Sequence, residues 1–366
     1  MKKITLLLIS FIFLLSACAP QATATPVPAS SSTEVPAITE VSAPQTLTVM
    51  SHDSFAVSED VVKAFEEANN AKLVFLQSGD AGAVLNKAIL TKDAPLADVL
   101  FGVDNTFLSR ALEADIFEAY ASPELANIPD AFKLDASNNV SPVDYGDVCI
   151  NYDKKYFSDN ALAVPQSLED LTKPEYTNLL AVENPATSST GLAFLFATIA
   201  HFGEDGYVEY WKSLKANGTV VVDGWETAYY TNFSASSGKG PQPMIVSYGT
   251  SPAVEVIFAD PPVDDAPTAS VLGPDTCFRQ IEFVGILKGT QNRALAEKFV
   301  DFMLSKQFQE DIPLQMFVYP ANSTAVLPEV FTKYSQAPEQ TATLASDVIA
   351  ANRDKWIQEW TDAVMK

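Results

Sequence analysis

The chain has 366 residues, 47% of them hydrophobic and 10% aromatic, which is ample apolar material for a folded core. Its formal net charge of −23 repels nucleic acid and anionic lipid and favours cationic partners, though plain solubility outside the cell accounts for it equally well. Two histidines far apart in sequence, and no HExxH or CxxC spacing, argue against a zinc site; no metal or cofactor is expected.

Lys2 and Lys3 precede an uncharged run from Ile4 to Ala17, the pattern of a secretory signal over residues 1–17. That run is shorter than the roughly 20 residues a membrane span needs. It ends in Leu15-Ser16-Ala17-Cys18. A small residue directly before cysteine resembles a bacterial lipobox, which implies cleavage before Cys18 and lipidation of its thiol. The alternative is an ordinary secretory peptide with a chance cysteine. Residues 18–46 then read as a disordered linker: Ala19 to Thr46 has five prolines, no aromatic residue and no Lys or Arg. Such a stretch cannot bury enough apolar surface to fold and is expected to act as an extended tether. The expectation is a soluble module leashed to the outer face of a membrane.

The body, from about Leu47 to Lys366, is longer than one hydrophobic core usually serves, so two lobes are expected. Its first part reads β-α-β-α-β. Leu47 to Met50 is a strand. Ser58 is a candidate N-cap for a helix with Val61, Val62 and Phe65 on one face. Lys72 to Leu76 is a strand, Ala81 to Leu90 a helix, Ala97 to Phe101 a strand and Thr106 to Ala114 a helix. Alternation of this kind predicts a parallel α/β sheet. Val140 to Tyr152 is a long extended run. A second α/β region follows: strand Leu179 to Val182, helices Gly191 to Phe202 and Val208 to Ala216, and strands Thr219 to Val222 and Met244 to Tyr248. After a Pro- and Asp-rich loop (Asp260 to Pro267), Cys277 to Leu287 is a second long strand. Arg293 to Leu304 and Lys306 to Ile312 read as helices. Leu344 to Met365 is a last helix with Val348, Ile349, Trp356 and Trp360 as its apolar face.

Two long strands bracketing an inserted α/β segment predict two lobes joined by two crossings: residues 47–146 with 278–366 as one, and 147–277 as the other. A ligand then sits in the cleft, at the strand ends. With Cys18 lipidated, Cys149 and Cys277 remain, one on each crossing. An even pair in an exported chain suggests a disulfide pinning the hinge strands; two buried free thiols are the alternative.

Several segments carry a resemblance in their order and spacing: Asp53-Ser54-Phe55, Gly102-Val103-Asp104-Asn105, Val143-Asp144-Tyr145-Gly146, Thr187-Ser188-Ser189-Thr190-Gly191, Gly224-Trp225-Glu226-Thr227-Ala228-Tyr229, Ser247-Tyr248-Gly249-Thr250-Ser251-Pro252-Ala253 and Tyr319-Pro320. The body resembles the thiamine-binding component of bacterial ABC importers, within the periplasmic-type solute-binding proteins. The resemblance implies an α/β, two-lobed periplasmic-binding-protein fold with two hinge crossings (type II-like). It also implies a small-molecule ligand, delivery to a permease with a cytoplasmic ATPase, and a monomer. The ligand set it implies is Asp53, Asp80, Ser188, Ser189, Trp225, Tyr248, Gly249, Thr250, Ser251 and Phe317. Their chemistry suits thiamine, a flat cationic thiazolium with an aminopyrimidine and a hydroxyethyl arm. Trp225 and Tyr248 follow strands and offer aromatic faces, against the alternative of half-buried packing. Asp80 is either a partner for the pyrimidine amine or a helix N-cap. Ser188 and Ser189 open a helix and suit a hydroxyl or a phosphate, against simple capping.

Three positions depart from the family: Phe317 where a tryptophan precedes Tyr-Pro, Val254 where a tyrosine follows Ser-Pro-Ala, and His52 where an aromatic neighbours Asp53. Less aromatic surface implies weaker affinity or a related ligand. Two rival readings stand beside this one. Tyr229-Tyr230 invites comparison with ferric-ion-binding relatives, although adjacent side chains on a helix diverge. Thiamine-degrading enzymes share the architecture and use a cysteine nucleophile, yet neither Cys149 nor Cys277 falls at a strand-to-helix turn, and no G-x-S-x-G is present. No enzymatic activity is expected.

Overall fold

Runs of β-branched and aromatic residues bounded by Gly, Pro, Asp and Ser become the strands of one sheet. In the computed structural model, which describes residues 43–235 and 239–366, they are β1 (Gln45–Ser51), β2 (Ala71–Gln77), β3 (Val99–Asp104), β4 (Phe117–Glu118), β5 (Ser141–Asp153), β6 (Leu180–Glu183), β7 (Val220–Val222), β8 (Met244–Tyr248), β9 (Thr268–Val271), β10 (Phe278–Leu287) and β11 (Tyr319–Pro320). The signal peptide, Cys18 and all but the end of the linker lie outside the described residues. β1 begins at Gln45, just inside the stretch expected to be linker.

The sheet order is β2-β1-β3-β10-β5-β8-β6-β7, with β4 beside β10, and β9 and β11 beside β5. Two parallel wings result, β2-β1-β3 and β8-β6-β7. Between them the two long strands run antiparallel, from Phe278 opposite Val148 to Val284 opposite Ser141. The parallel wings follow from their βαβ connections; a helix between strands leaves no other short route. The central pair is flanked by both wings, β3 beside β10 and β8 beside β5, and so connects the halves.

Cys149 and Cys277 stand opposite one another in this pair and form a disulfide, Cα to Cα 4.3 Å apart. A bidentate ion pair between Asp147 and Arg279, 2.9 Å at each bond, joins the same two segments two register positions further along. The Ser189–Phe202 helix is apolar all round and is buried along nearly its whole length, as a helix at the centre of a core must be.

The last helix, Ser346–Val364, touches the first lobe, where the sequence reading places it, through the Leu108–Glu113 helix and through Arg353 over the Phe107 ring at 5.5 Å, but its tryptophans pack into the second. Trp356 meets Phe196 edge-on with ring centroids 5.7 Å apart, and Trp360 meets Trp211 at 5.5 Å. Tyr207 donates to Glu359, and Lys355 pairs with Glu204. After β11 the chain therefore crosses once more, and the Glu329–Tyr334 helix packs against the Ser251–Ile257 helix on the way. Ile349, Trp356 and Trp360 of the expected apolar face are buried, Val348 is exposed and Arg353 takes a buried place on the helix; periodicity reports that a face is buried and never against what. Among the described residues no helix is long and apolar enough to cross a membrane.

Candidate functional site

A cavity of about 480 Å³ opens between the two wings. One wall is charged. Its members come from the end of β1 (His52 and Asp53), the start of the Ala81–Leu90 helix (Asp80) and the middle of β10 (Glu282). The other wall is aromatic and hydroxylic: Trp225, Tyr229, Tyr248, Ser189 and Ser251, with Phe317 and Met316 closing one side.

Local sequence fixes each piece. β8 ends at Tyr248, whose hydroxyl donates to the Gln280 amide oxygen at 2.7 Å. Gly146 lies under the ring, where a Cβ would stand 2.7 Å from Cδ1. β7 ends at Val222. Gly224 then lets the chain pass Asp80 closely, and Trp225 opens a short helix that widens into a π turn over Ala228–Asn232. The indole stacks on Tyr229 with centroids 4.9 Å apart and donates Nε1–H to Ser247 at 2.9 Å. Ser247 shares a hydrogen bond with Ser251 at 2.8 Å. An indole held on one face and at its edge offers its other surface to a ligand without losing rotamer freedom.

Asp80 joins the walls. One oxygen accepts from the Ala81 N–H at 2.6 Å, capping its own helix, and from the Ser189 N–H at 3.3 Å across the cleft. The other accepts from the Trp225 N–H at 3.1 Å. Enclosure pushes its carboxyl above the ordinary range, against the pull of the Trp225 and Ala81 amides. Nearby the Gly82 N–H donates to the Thr187 carbonyl at 3.1 Å, and a Cβ on Gly82 would stand 2.8 Å from that oxygen. Contacts this tight between the halves describe a closed cleft.

The charged wall is backed by more acid. Glu282 faces His52 at 3.3 Å, and Asp144 and Asp104 lie behind it, both almost wholly buried. Burial and the Glu282 charge drive the Asp144 carboxyl well above its ordinary range. Glu282 is held below its usual range, against burial, by His52 and by Asp144. Burial pushes Asp104 up to about 7 although Thr106, Gln280 and the Phe107 N–H stabilise its charge. Gln280 ties the system together: its amide nitrogen donates to Asp104 and to Ser189 Oγ, and its oxygen accepts from Tyr248.

Residues 94–337 match the family model of the bacterial extracellular solute-binding proteins. The chain belongs to that family. A thiamine-binding periplasmic protein of Escherichia coli K12 is 30% identical over 331 residues, covering 89% of this chain and 95% of that protein. A thiamine-binding periplasmic protein of Brucella suis biovar 1 (strain 1330) is 29% identical over 332 residues, covering 88% and 93%. The solved structure of a periplasmic thiamin binding protein superposes with a TM-score of 0.76 at 29% identity, covering 88% of this chain and 97% of that one. The fold is thus the two-lobed periplasmic-binding-protein fold.

In this solute-binding protein, seven of the expected ligand residues line the cavity: Asp53, Asp80, Ser189, Trp225, Tyr248, Ser251 and Phe317. Three do not. Ser188 is buried, its hydroxyl 3.0 Å from that of Thr190. Gly249 exchanges backbone hydrogen bonds with Asp147 and Gln336. Thr250 donates to the Phe317 carbonyl at 2.6 Å. That last bond has a purpose: Phe317 sits at φ 60°, the left-handed region that bulky residues avoid, and a buried hydroxyl helps hold it there. Asp53 is exposed and binds the Gly79 N–H at 2.6 Å, setting the loop that carries Asp80. Both readings of Asp80 hold at once, since it caps a helix and lines the cavity.

Sequence reasoning missed Glu282 and Tyr229 as lining residues. Glu282 had a signal: it is the one acidic residue in the otherwise apolar-and-polar strand from Phe278 to Leu287. The Tyr229-Tyr230 pair does not converge. The rings lie 79° apart, and Tyr229 donates its hydroxyl to Glu255. No group of three or more His, Cys, Asp or Glu side chains among the described residues is arranged to hold a metal ion.

Proposed function

We propose that this chain is an extracytoplasmic solute-binding lipoprotein, anchored through Cys18 and monomeric, that captures thiamine, a thiamine phosphate or a close analogue. It closes around the ligand by hinge motion and delivers it to an ABC permease driven by a cytoplasmic ATPase. The observation that carries this reading is the pairing of walls: an aromatic face at Trp225 and Tyr248 opposite carboxylates at Glu282 and Asp80 in one 480 Å³ cavity. A flat, permanently charged ring is the ligand that uses both. Stacking on an aromatic face contributes roughly 0.5–2 kcal/mol when partly desolvated, and a carboxylate opposite adds charge balance. The names of the relatives support the same ligand. Cys149 and Cys277, the cysteines of the described region, are joined to each other, which speaks against either as a nucleophile.

Calorimetric titration of the exported chain carrying Cys18→Ser with thiamine tests the reading. Saturable one-to-one binding at micromolar or tighter is expected. Absence of heat with thiamine and with its mono- and diphosphate would sink it.

A further inference from the structure

The cavity contains an ionisable base of the protein's own. His52 is buried, lines the cavity beside Glu282 and faces it at 3.3 Å. It is fixed there by packing. Its ring lies over Gly102, where a Cβ would stand 2.2 Å from Cδ2, and beside Phe101 with centroids 5.5 Å apart. Gly102 is itself at φ 94°, so no other residue fits that strand position easily. The imidazole has no second place to go.

We infer that Glu282 is the cation-recognising carboxylate of the cleft, that His52 is its counter-ion in the empty protein, and that ligand binding expels the His52 proton. This rests on the reading of the ligand as a permanent cation. The groups facing His52 are acidic on every side. Glu282 comes from β10, Asp80 from the start of the Ala81–Leu90 helix and Asp53 from its own loop. Asp144 on β5 and Asp104 on β3 stand behind Glu282. Burial alone would lower the imidazole's proton affinity, and these carboxylates reverse it, so the group is raised above its ordinary value. A thiazolium entering the same cavity brings a second positive charge into reach of Glu282. Two cations cannot share one buried carboxylate without repulsion, and only one can discharge itself. The imidazolium loses its proton to the buffer, the neutral ring remains against Phe101, and Glu282 turns its charge to the ligand. Net charge in the site is unchanged, which avoids the penalty of adding an uncompensated ion to a buried place.

The linkage has a sign. The free protein binds more protons than the complex, so affinity rises with pH through the range where free His52 titrates, by up to about tenfold per unit. It levels off once His52 is neutral in both states.

The test is thiamine calorimetry on the Cys18→Ser chain between pH 6 and 8.5, at each pH in two buffers of different ionisation heat, such as phosphate and Tris. The expected result is release of a substantial fraction of one proton per thiamine near pH 7, with affinity rising alongside. In His52→Gln and in His52→Phe, each checked by thermal melting, the release should vanish and the affinity should become flat with pH. Glu282→Gln should weaken binding by tenfold or more. Thiamine binding whose heat is the same in both buffers overturns this inference alone, as does proton release that survives in the folded His52 variants, which would implicate Asp80. Absence of binding at every pH overturns the thiamine reading and this inference with it.

Discussion

The two walls of the cleft are built at different expense. The aromatic wall is made of groups that fold willingly: Trp225 stacks on Tyr229, donates to Ser247 and leaves one face free. The charged wall brings Asp80, Glu282, Asp144 and Asp104 together with a single His52 to balance them. Burying that much acid opposes folding. Asp144 and Glu282, on β5 and β10, stand on strands bound to each other by a disulfide and by the Asp147–Arg279 ion pair. The comparison teaches that selectivity for charge is held in the stable middle of the sheet, whereas stacking is delegated to a short helix at its edge.

Removing the pin is the largest way to break that comparison. The double variant Cys149→Ser, Cys277→Ser opens a loop of 128 residues and should lower stability by about 3–5 kcal/mol. Chemical denaturation reads this directly. Ligand binding should persist at temperatures where the variant is folded, because neither wall contains a cysteine.

The next effect concerns the charged wall alone. Asp104 has its carboxyl raised from 3.8 to about 7 by burial. A group raised in the folded state contributes stability that is complete below its unfolded value and is lost as pH rises through the folded one. Its contribution therefore falls between about pH 4 and 7, by on the order of 2–4 kcal/mol. Burial also raises Asp80 and Asp144, with the same sign. The melting temperature should be higher at pH 5 than at pH 8, and Asp104→Asn should narrow the gap. Equal melting temperatures across this range would mean that the acids are better solvated than the geometry implies.

On the aromatic side the effect moves from stability to affinity. Trp225→Ala should weaken thiamine binding by about 1–2 kcal/mol, roughly tenfold. The melting temperature should change little, because the indole is a partly exposed member of the cleft. The smallest effect sharpens the contrast in the other direction. Phe317→Trp restores the stronger cation–π partner at the cavity's edge and should tighten binding a few-fold. No change would place the ligand away from that edge.

Much of this was legible in the sequence, and for identifiable reasons. The alternating β and α runs from Leu47 to Ala114, the two long hinge strands and the buried Ser189–Phe202 helix all follow from periodicity and composition. The position of Cys149 opposite Cys277 follows once those strands are paired. Other features were not readable. Trp225 to Asn232 and Ser251 to Ile257 form helices too short to show a period. Gly249 and Thr250 fall in the same motif as Tyr248 and Ser251, but a turn sends their bonds outward to Gln336 and Phe317. The register at which the last helix meets the Tyr207–Ala216 helix is tertiary information. Glu282 could have been found, since a carboxylate inside a strand buried along almost its whole length needs a reason.

The distribution of indoles makes the molecule its own optical reporter. Of the four tryptophans in the chain, Trp211, Trp356 and Trp360 are fully buried in the core. None of the three lines the cavity. Trp225 alone lines the cavity. A change in emission on adding a ligand is therefore expected from one known chromophore, and a Trp225→Phe chain supplies the blank. Occupancy can be followed in real time on the unlabelled protein, including the rates of capture and release that decide how quickly it can serve a transporter.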